Sequence, residues 1–329
     1  MRVVRRLLFY FCVWLIHSTS LTYPQQPPRF TTQADYVRVP VSVFDARGRL
    51  LLQLEREQFT LFDEEEPRQI DNFLLDESPI FVVLLLDVSG SVKDELKPIT
   101  EAALGFARAF GPNDRFAAVA FSDEMVVLQE WTNDLRALRR SIRKLRPGYR
   151  TALYDALLNT SQEKLKRVSG KKAIILLTDG LDNESQSSHE DVVRHLISSS
   201  VSVYVISRTR FVHPEVAKSE RVAFLNRVMN DVLQEESDFV EIYFREKESA
   251  MSQLAEVTGG RALFPKGLDE LKGTYLQVAR ELKNQYVLTF RPALESELEF
   301  RRIQVRCSEV DATVSHRRQY HWTSPLSRP

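Results

Sequence analysis

Cysteine is nearly missing from this chain: Cys12 and Cys307 are the only two among 329 residues. Cys12 lies in an N-terminal apolar run expected to be removed, so Cys307 is left alone and no intramolecular disulfide can form. A lone cysteine in a strand reads as a small core residue. Net charge is missing too, with 45 lysines and arginines against 45 aspartates and glutamates. A general polyanion binder needs an excess of cations to neutralise phosphates, so the balance argues against nucleic acid as a partner. The apolar run Leu7 to Ile16 falls short of the roughly 20 residues that span a bilayer. No repeat of solenoid period is visible. Gly170-Lys171-Lys172 lacks the rest of a phosphate loop, and Ser89 lacks the Gly-x-Ser-x-Gly elbow of hydrolases. The six histidines are scattered, and no motif ties one to the serines. The acid–base pair of an enzyme is therefore not in evidence.

What is present begins with an address. Arg2, Arg5 and Arg6 precede the apolar run LLFYFCVWLI, and Ser18-Thr19-Ser20 offers small residues for cleavage. Residues 1–20 read as a signal peptide and predict export to the periplasm, the cell surface or the medium. An uncleaved anchor would leave the domain on the same side. Residues 21–32, with Pro24-Gln25-Gln26-Pro27-Pro28, read as a linker. The chain as a whole is 43% hydrophobic, enough for a real core.

Two pattern types then alternate. Val37, Val39, Val41 and Val43 recur every second residue and line one face of a strand. Asp45-Ala46-Arg47-Gly48 is a turn. Phe59 to Phe62 and Ile70 to Leu74 are further strands flanking Asp63-Glu64-Glu65-Glu66-Pro67, read as a solvated acidic turn. At Pro79 the pattern changes. Ile80 to Leu86, Ala173 to Leu177 and Val201 to Ile206 are continuous apolar runs, as in strands buried on both faces. Helical stretches at Glu95 to Phe110, Leu135 to Leu145, Ala152 to Val168 and Glu190 to Ser199 separate them, and Phe116 to Phe121 with Met125 to Leu128 forms a hairpin. The fold class is α/β, a doubly wound, mostly parallel sheet with helices on both faces. Residues 208–245 read as an insertion, with a helix at Arg221 to Leu233 and a strand at Val240 to Phe244. A helix at Ser249 to Val257, a strand at Ala262 to Phe264 and a helix at Leu268 to Leu282 follow. Alternation returns at Tyr286 to Phe290, Phe300 to Arg306 and Ala312 to Ser315. We expect residues 33–78 and 286–329 to pair as one small β-sandwich-like module around an α/β domain at 79–285, since either set alone is marginal.

The stretch LLLDVSGS ends a buried strand in Asp87, Ser89 and Ser91. Asp179 ends another in AIILLTDG, and Thr151 opens a helix in YRTALYDAL. Ligands of open α/β sheets bind at the carboxyl ends of the strands, so three loops bring carboxylates and hydroxyls to one crevice. All are hard oxygen donors, which suits Mg²⁺ or Mn²⁺ and not zinc. Taken singly, the serines read equally well as helix caps and Asp179-Gly180 as an ordinary turn. Asn183-Glu184-Ser185 matches a glycosylation sequon and is read as coincidence.

Asp87, Ser89, Ser91, Thr151 and Asp179 resemble the metal-ion-dependent adhesion site of the von Willebrand factor A, or integrin I-like, domains: Asp-x-Ser-x-Ser, a distant Thr, a distant Asp. The resemblance implies direct metal contacts from the three hydroxyls, direct or water-mediated ones from the two aspartates, and a last ligand from a partner's carboxylate. Tyr149-Arg150 stands where the family commonly has glycines. FDARGRLLLQLEREQFTLFDEEEPRQIDNF, TDGLDNES, LAEVTGGRALFP and LQVARELKNQYVLTFRP are also similar to the exported VWFA-related Acidobacterial domain proteins. The function expected is binding of a protein partner through a metal. The alternatives are metal-independent assembly in the cell envelope and a metal-dependent phosphatase-like hydrolase, the latter disfavoured because Ser89 replaces the second acid.

Overall fold

The computed structural model describes residues 36–89, 95–148, 150–210, 239–293 and 299–322. The expected signal peptide and linker, Ser91, Tyr149, the helix at Arg221 to Leu233 and most of the expected insertion lie outside them. In chain order, β1 is Val37–Phe44, β2 Phe59–Asp63, β3 Glu66–Arg68, β4 Asn72–Leu75 and β5 Ile80–Asp87. Then come α1 Leu96–Ala107, β6 Arg115–Phe121, β7 Met125–Thr132, α2 Leu135–Ile142, α3 Leu153–Thr160 and β8 Lys171–Thr178. They are followed by α4 His189–Ser198, β9 Val201–Ser207, α5 Phe239–Thr258, β10 Ala262–Leu263 and α6 Leu271–Lys283. The chain ends through β11 Tyr286–Phe290, β12 Phe300–Cys307, β13 Thr313–His316 and β14 Gln319–His321.

A six-stranded sheet, ordered β10-β9-β8-β5-β6-β7, is parallel except for the β6–β7 hairpin. Its central strand shows why the apolar runs are continuous. Val82, Leu84 and Leu86 point into a cluster with Ile99 and Phe106 of α1, Leu138 of α2 and Tyr275 of α6. Val83 and Leu85 point the other way, toward Leu153 of α3, Leu196 of α4 and Leu254 of α5. Each such side chain contributes about 1.5–3 kcal/mol when fully buried. The fold is thus α/β and doubly wound, with helices on both faces. No described helix is long and apolar enough to cross a membrane.

Two four-stranded antiparallel sheets complete the chain, ordered β13-β1-β11-β4 and β14-β12-β2-β3. Val39, Val41 and Leu288 from one sheet share a core with Leu61, Ile303 and Tyr320 from the other, which makes a small sandwich. The strand entering the α/β layer and the strand leaving it lie side by side, with Leu75 opposite Tyr286. Ser42 and Phe44 are buried on the opposite face of β1, and the Arg261 guanidinium lies 4.2 Å from the Phe44 ring centroid.

The structure corrects two expectations and adds one strand. Val240 to Phe244 is not a strand but part of α5, which begins at Phe239. A short apolar run fits either state, and here the buried stripe Phe244, Met251, Leu254, Ala255 follows helical spacing. The acidic run is not wholly solvated either. Glu64 and Glu65, with φ of 51° and 75°, form the tip, Glu64 half-buried and Glu65 exposed, while Asp63 is fully buried and Glu66–Arg68 is a strand. Finally, β14 was not anticipated, because three residues carry too little pattern.

Candidate metal centre

β5 continues toward α1, on one face of the sheet, and β8 toward α4, on the other. The loops after these neighbouring strands therefore part, leaving a crevice at their carboxyl ends. Asp87, 1% exposed, sits at its floor. Its Oδ1 accepts from the Ser89 backbone N–H at 2.9 Å and from the Ser89 hydroxyl at 2.6 Å. Its Oδ2 accepts from the Thr178 hydroxyl at 2.7 Å. A hydroxyl that gives its proton to a carboxylate keeps its lone pairs for a cation. Ser89 is so placed, and it is a hard oxygen beside a carboxylate.

Asp179 follows β8 at once. Its Oδ1 accepts from the Leu181 N–H at 3.1 Å, and Gly180 turns the chain with φ of +78°. Thr151, 2% exposed, is held by this same loop. Asn183 Oδ1 accepts its N–H at 3.0 Å, and its carbonyl accepts from the Asn183 and Glu184 N–H groups at 3.0 and 3.2 Å. Asp182 accepts from Leu153 N–H, and Ser185 from Tyr154 N–H, which ties the start of α3 to that loop as well. On its other side the Thr151 loop meets the first: Gly148 N–H donates to the Val88 carbonyl at 2.9 Å, and Gly148 bridges Ser89. Ala152 N–H donates to the Ser122 carbonyl at 2.8 Å.

The structure thus brings the loops of Asp87 and Ser89, of Thr151 and of Asp179 together; Ser91 lies outside the described residues. Arg150 does not crowd the crevice, because it is exposed and pairs with Glu184. A side chain at position 148 would crowd it: a Cβ there meets Ser122 Cβ and Oγ at 2.3 Å. We expect Gly148→Ala to cost about 1–3 kcal/mol in urea unfolding, the range for overpacking. Divalent cation binding should weaken with it, because the Thr151 loop would be displaced from the Asp87 loop.

Sequence reasoning missed a cation. Arg208, just past β9 and 2% exposed, donates from Nη1 to Glu95 at 2.8 Å, and its Nη2 is 4.0 Å from Asp179. Its backbone N–H donates to the Thr178 carbonyl at 2.7 Å, which fixes it at the crevice wall. Burial pushes the Asp87 carboxyl above its ordinary value, and the Asp179 charge adds to this, while Arg208 and Ser89 act against it. Burial works against the Arg208 charge, but Asp87, Glu95 and Asp179 outweigh it and raise that pKa. Three carboxylates against one guanidinium leave a formal charge of −2, which a divalent cation cancels. The oxygen donors fit such an ion, with two carboxylates and two described hydroxyls. Among the described residues no group of three or more His, Cys, Asp or Glu is placed to hold a metal.

Residues 82–254 match the model of the von Willebrand factor type A domain. None of the curated proteins matches the chain. Among solved structures it is similar to proximal thread matrix protein 1 from the mussel byssus, at 17% identity and a TM-score of 0.47. That match covers 67% of this chain and 50% of the mussel chain, so this chain spans about half the mussel protein. A second structure of that protein, with a zinc-occupied MIDAS motif, matches at 18% identity and a TM-score of 0.47, covering 67% of this chain and 49% of that one. An aerotolerance-related membrane protein from Bacteroides fragilis matches at 14% identity and a TM-score of 0.42, over 61% of this chain and 99% of that one.

Proposed function

The chain belongs to the von Willebrand factor type A domain family, and from that premise we propose that it is an exported protein binding a partner through a divalent cation. Asp87, Ser89, Ser91, Thr151 and Asp179 would hold the ion, Mg²⁺ or Mn²⁺ by their oxygen chemistry. When bound, the ion supplies positive charge and an open position for a carboxylate of the partner protein. The observation that carries this reading is the stitching of three loops into one crevice, through Gly148 to Val88 and Thr151 to Asn183. Rigid loops hold the donors within the tolerance a cation requires. Asp87 orients the Ser89 hydroxyl, Thr178 orients Asp87, and Asn183 orients the Thr151 backbone. These residues bind and position; with Ser89 two places after Asp87 there is no second acid for phosphoryl chemistry, so we read a binding protein and not an enzyme. Export rests on the N-terminal sequence, and a membrane enters only through that segment.

The test is isothermal titration of wild type and Asp87→Ala with Mg²⁺ and Mn²⁺. The variant is expected to bind at least about tenfold more weakly, as when an orienting group of a metal site is lost. Equal binding by both would sink the site assignment. A second reading, metal-independent assembly in the envelope, draws on Arg208, which already offsets part of the acidic charge. Partner capture from an envelope fraction that survives chelator would favour it.

A further inference from the structure

The crevice holds its own cation. Arg208 reaches it from β9, the strand next to β8, and its guanidinium is anchored at one end by Glu95 at 2.8 Å. The other end faces Asp179 at 4.0 Å, with the Asp87 charge also in reach. The side chain is 3% exposed, so water screens these attractions little. Neither Arg208 Nε nor the buried Tyr275 hydroxyl of α6 has a hydrogen-bond partner among the described residues. The head is therefore held by charge at the Nη end and not by a closed hydrogen-bond set. Surface ion pairs of arginine are usual; one enclosed among the acids of a candidate metal site is not.

We propose that Arg208 is a positioning residue that sets the cation affinity of this site: its guanidinium shares Asp179 and Asp87 with the bound ion and keeps that ion's affinity below what the oxygens alone would give. The inference rests on the metal reading above. It follows from charge: without Arg208 the crevice would hold three carboxylates and no resident cation, and a divalent ion would meet a formal charge of −3 in place of −2. The arrangement suits a site that stays formed at low metal concentration and loads when metal rises. Its acids are never left wholly unpaired, a state that is costly in a buried site.

The experiment is Mn²⁺ titration calorimetry on the full chain as wild type, Arg208→Met, Arg208→Gln, Arg208→Lys and Arg210→Met. Both neutral variants at 208 are expected to bind Mn²⁺ about tenfold or more tightly than wild type, since the attraction of Arg208 for Asp179 across 4.0 Å, which competes with the ion for that carboxylate, outweighs a factor of ten at protein-like dielectric. Arg208→Lys keeps the charge and should stay within about threefold of wild type on the same argument. Arg210 is exposed and paired to Glu248, so Arg210→Met should change nothing and reports on general charge effects. A tightened affinity is not what a damaged fold produces. If Arg208→Met loses its near-ultraviolet dichroism, Arg208→Gln, which keeps a donor for Glu95, carries the test. Neutral variants that bind no more tightly than a wild type that does bind overturn this inference alone. Wild type and neutral variants that all fail to bind Mn²⁺ overturn the metal reading and this inference with it.

Discussion

Replacing Asp63 by alanine is expected to lower the unfolding free energy by about 3–5 kcal/mol, the cost of leaving a buried charge without its partner. Asp63 is fully buried at the end of β2 and joins all four strands of its sheet. Arg301 of β12 donates to both its oxygens, at 3.0 and 2.6 Å. The Tyr320 hydroxyl of β14 donates at 2.9 Å, and Arg68 of β3 lies at 3.5 Å. Arg301 is 2% exposed, and it also donates to the Ala293 carbonyl at 3.0 Å. It cannot turn to water when the carboxylate is gone. Burial, and then the Asp63 charge, also pushes the Tyr320 phenol pKa upward. Urea unfolding of Asp63→Ala, Arg301→Met and the double variant would measure this. The double variant should recover much of the loss, since a buried ion pair replaced as a whole by apolar groups is often neutral. A cost below about 1 kcal/mol for Asp63→Ala would mean that Arg301 reaches solvent and that the network is only a surface pair.

That network marks the limit of what the sequence says. Ile80 to Leu86 was legible because burial on both faces leaves a continuous run, and the structure bears this out with Val82 and Val83 in opposite clusters. Asp87, Thr151 and Asp179 were legible as a set because strand ends of an α/β sheet face one crevice. What stayed hidden is long-range pairing. Asp63 and Arg301 are 238 residues apart, and within DEEEP nothing distinguishes a buried acid from a solvated one. Arg208 is one of several arginines after a strand, and only the fold brings it to Glu95, 113 residues away. Asn183 and Ser185 looked like a chance sequon, yet they hold the Thr151 loop in place. The helical start of α5 was hidden for a local reason: VEIYF suits a strand by composition, while the side chains that pack this helix on the sheet, Met251, Leu254 and Ala255, come later in it.

The second large effect is a loss of stability in acid that is traceable to His316. It is 2% exposed at the end of β13. Its Nδ1 donates to the Arg317 carbonyl at 2.7 Å, and its Nε2 accepts the Val305 backbone N–H at 3.1 Å. That acceptor fixes the neutral tautomer. A proton on Nε2 would face the Val305 N–H and the Arg318 guanidinium, 3.3 Å away. Burial therefore pushes the His316 pKa down from 6.5 to about 4, with Arg318 acting the same way and the Arg317 carbonyl against it. Between those two values the unfolded chain takes up a proton that the folded chain refuses. Stability from this group is complete above pH 6.5 and falls as the pH drops through the window, flattening below pH 4. The full loss amounts to about 3 kcal/mol. Carboxylates titrate over the same range, so the measurement is a difference: urea unfolding of wild type and His316→Gln at pH near 7.5 and near 4. Glutamine keeps an acceptor for the Val305 N–H but has no proton to gain, so wild type should lose about 3 kcal/mol more than the variant across that interval. Equal losses in the two proteins would mean that the imidazole charges inside the fold, and that the Val305 N–H gives way to it.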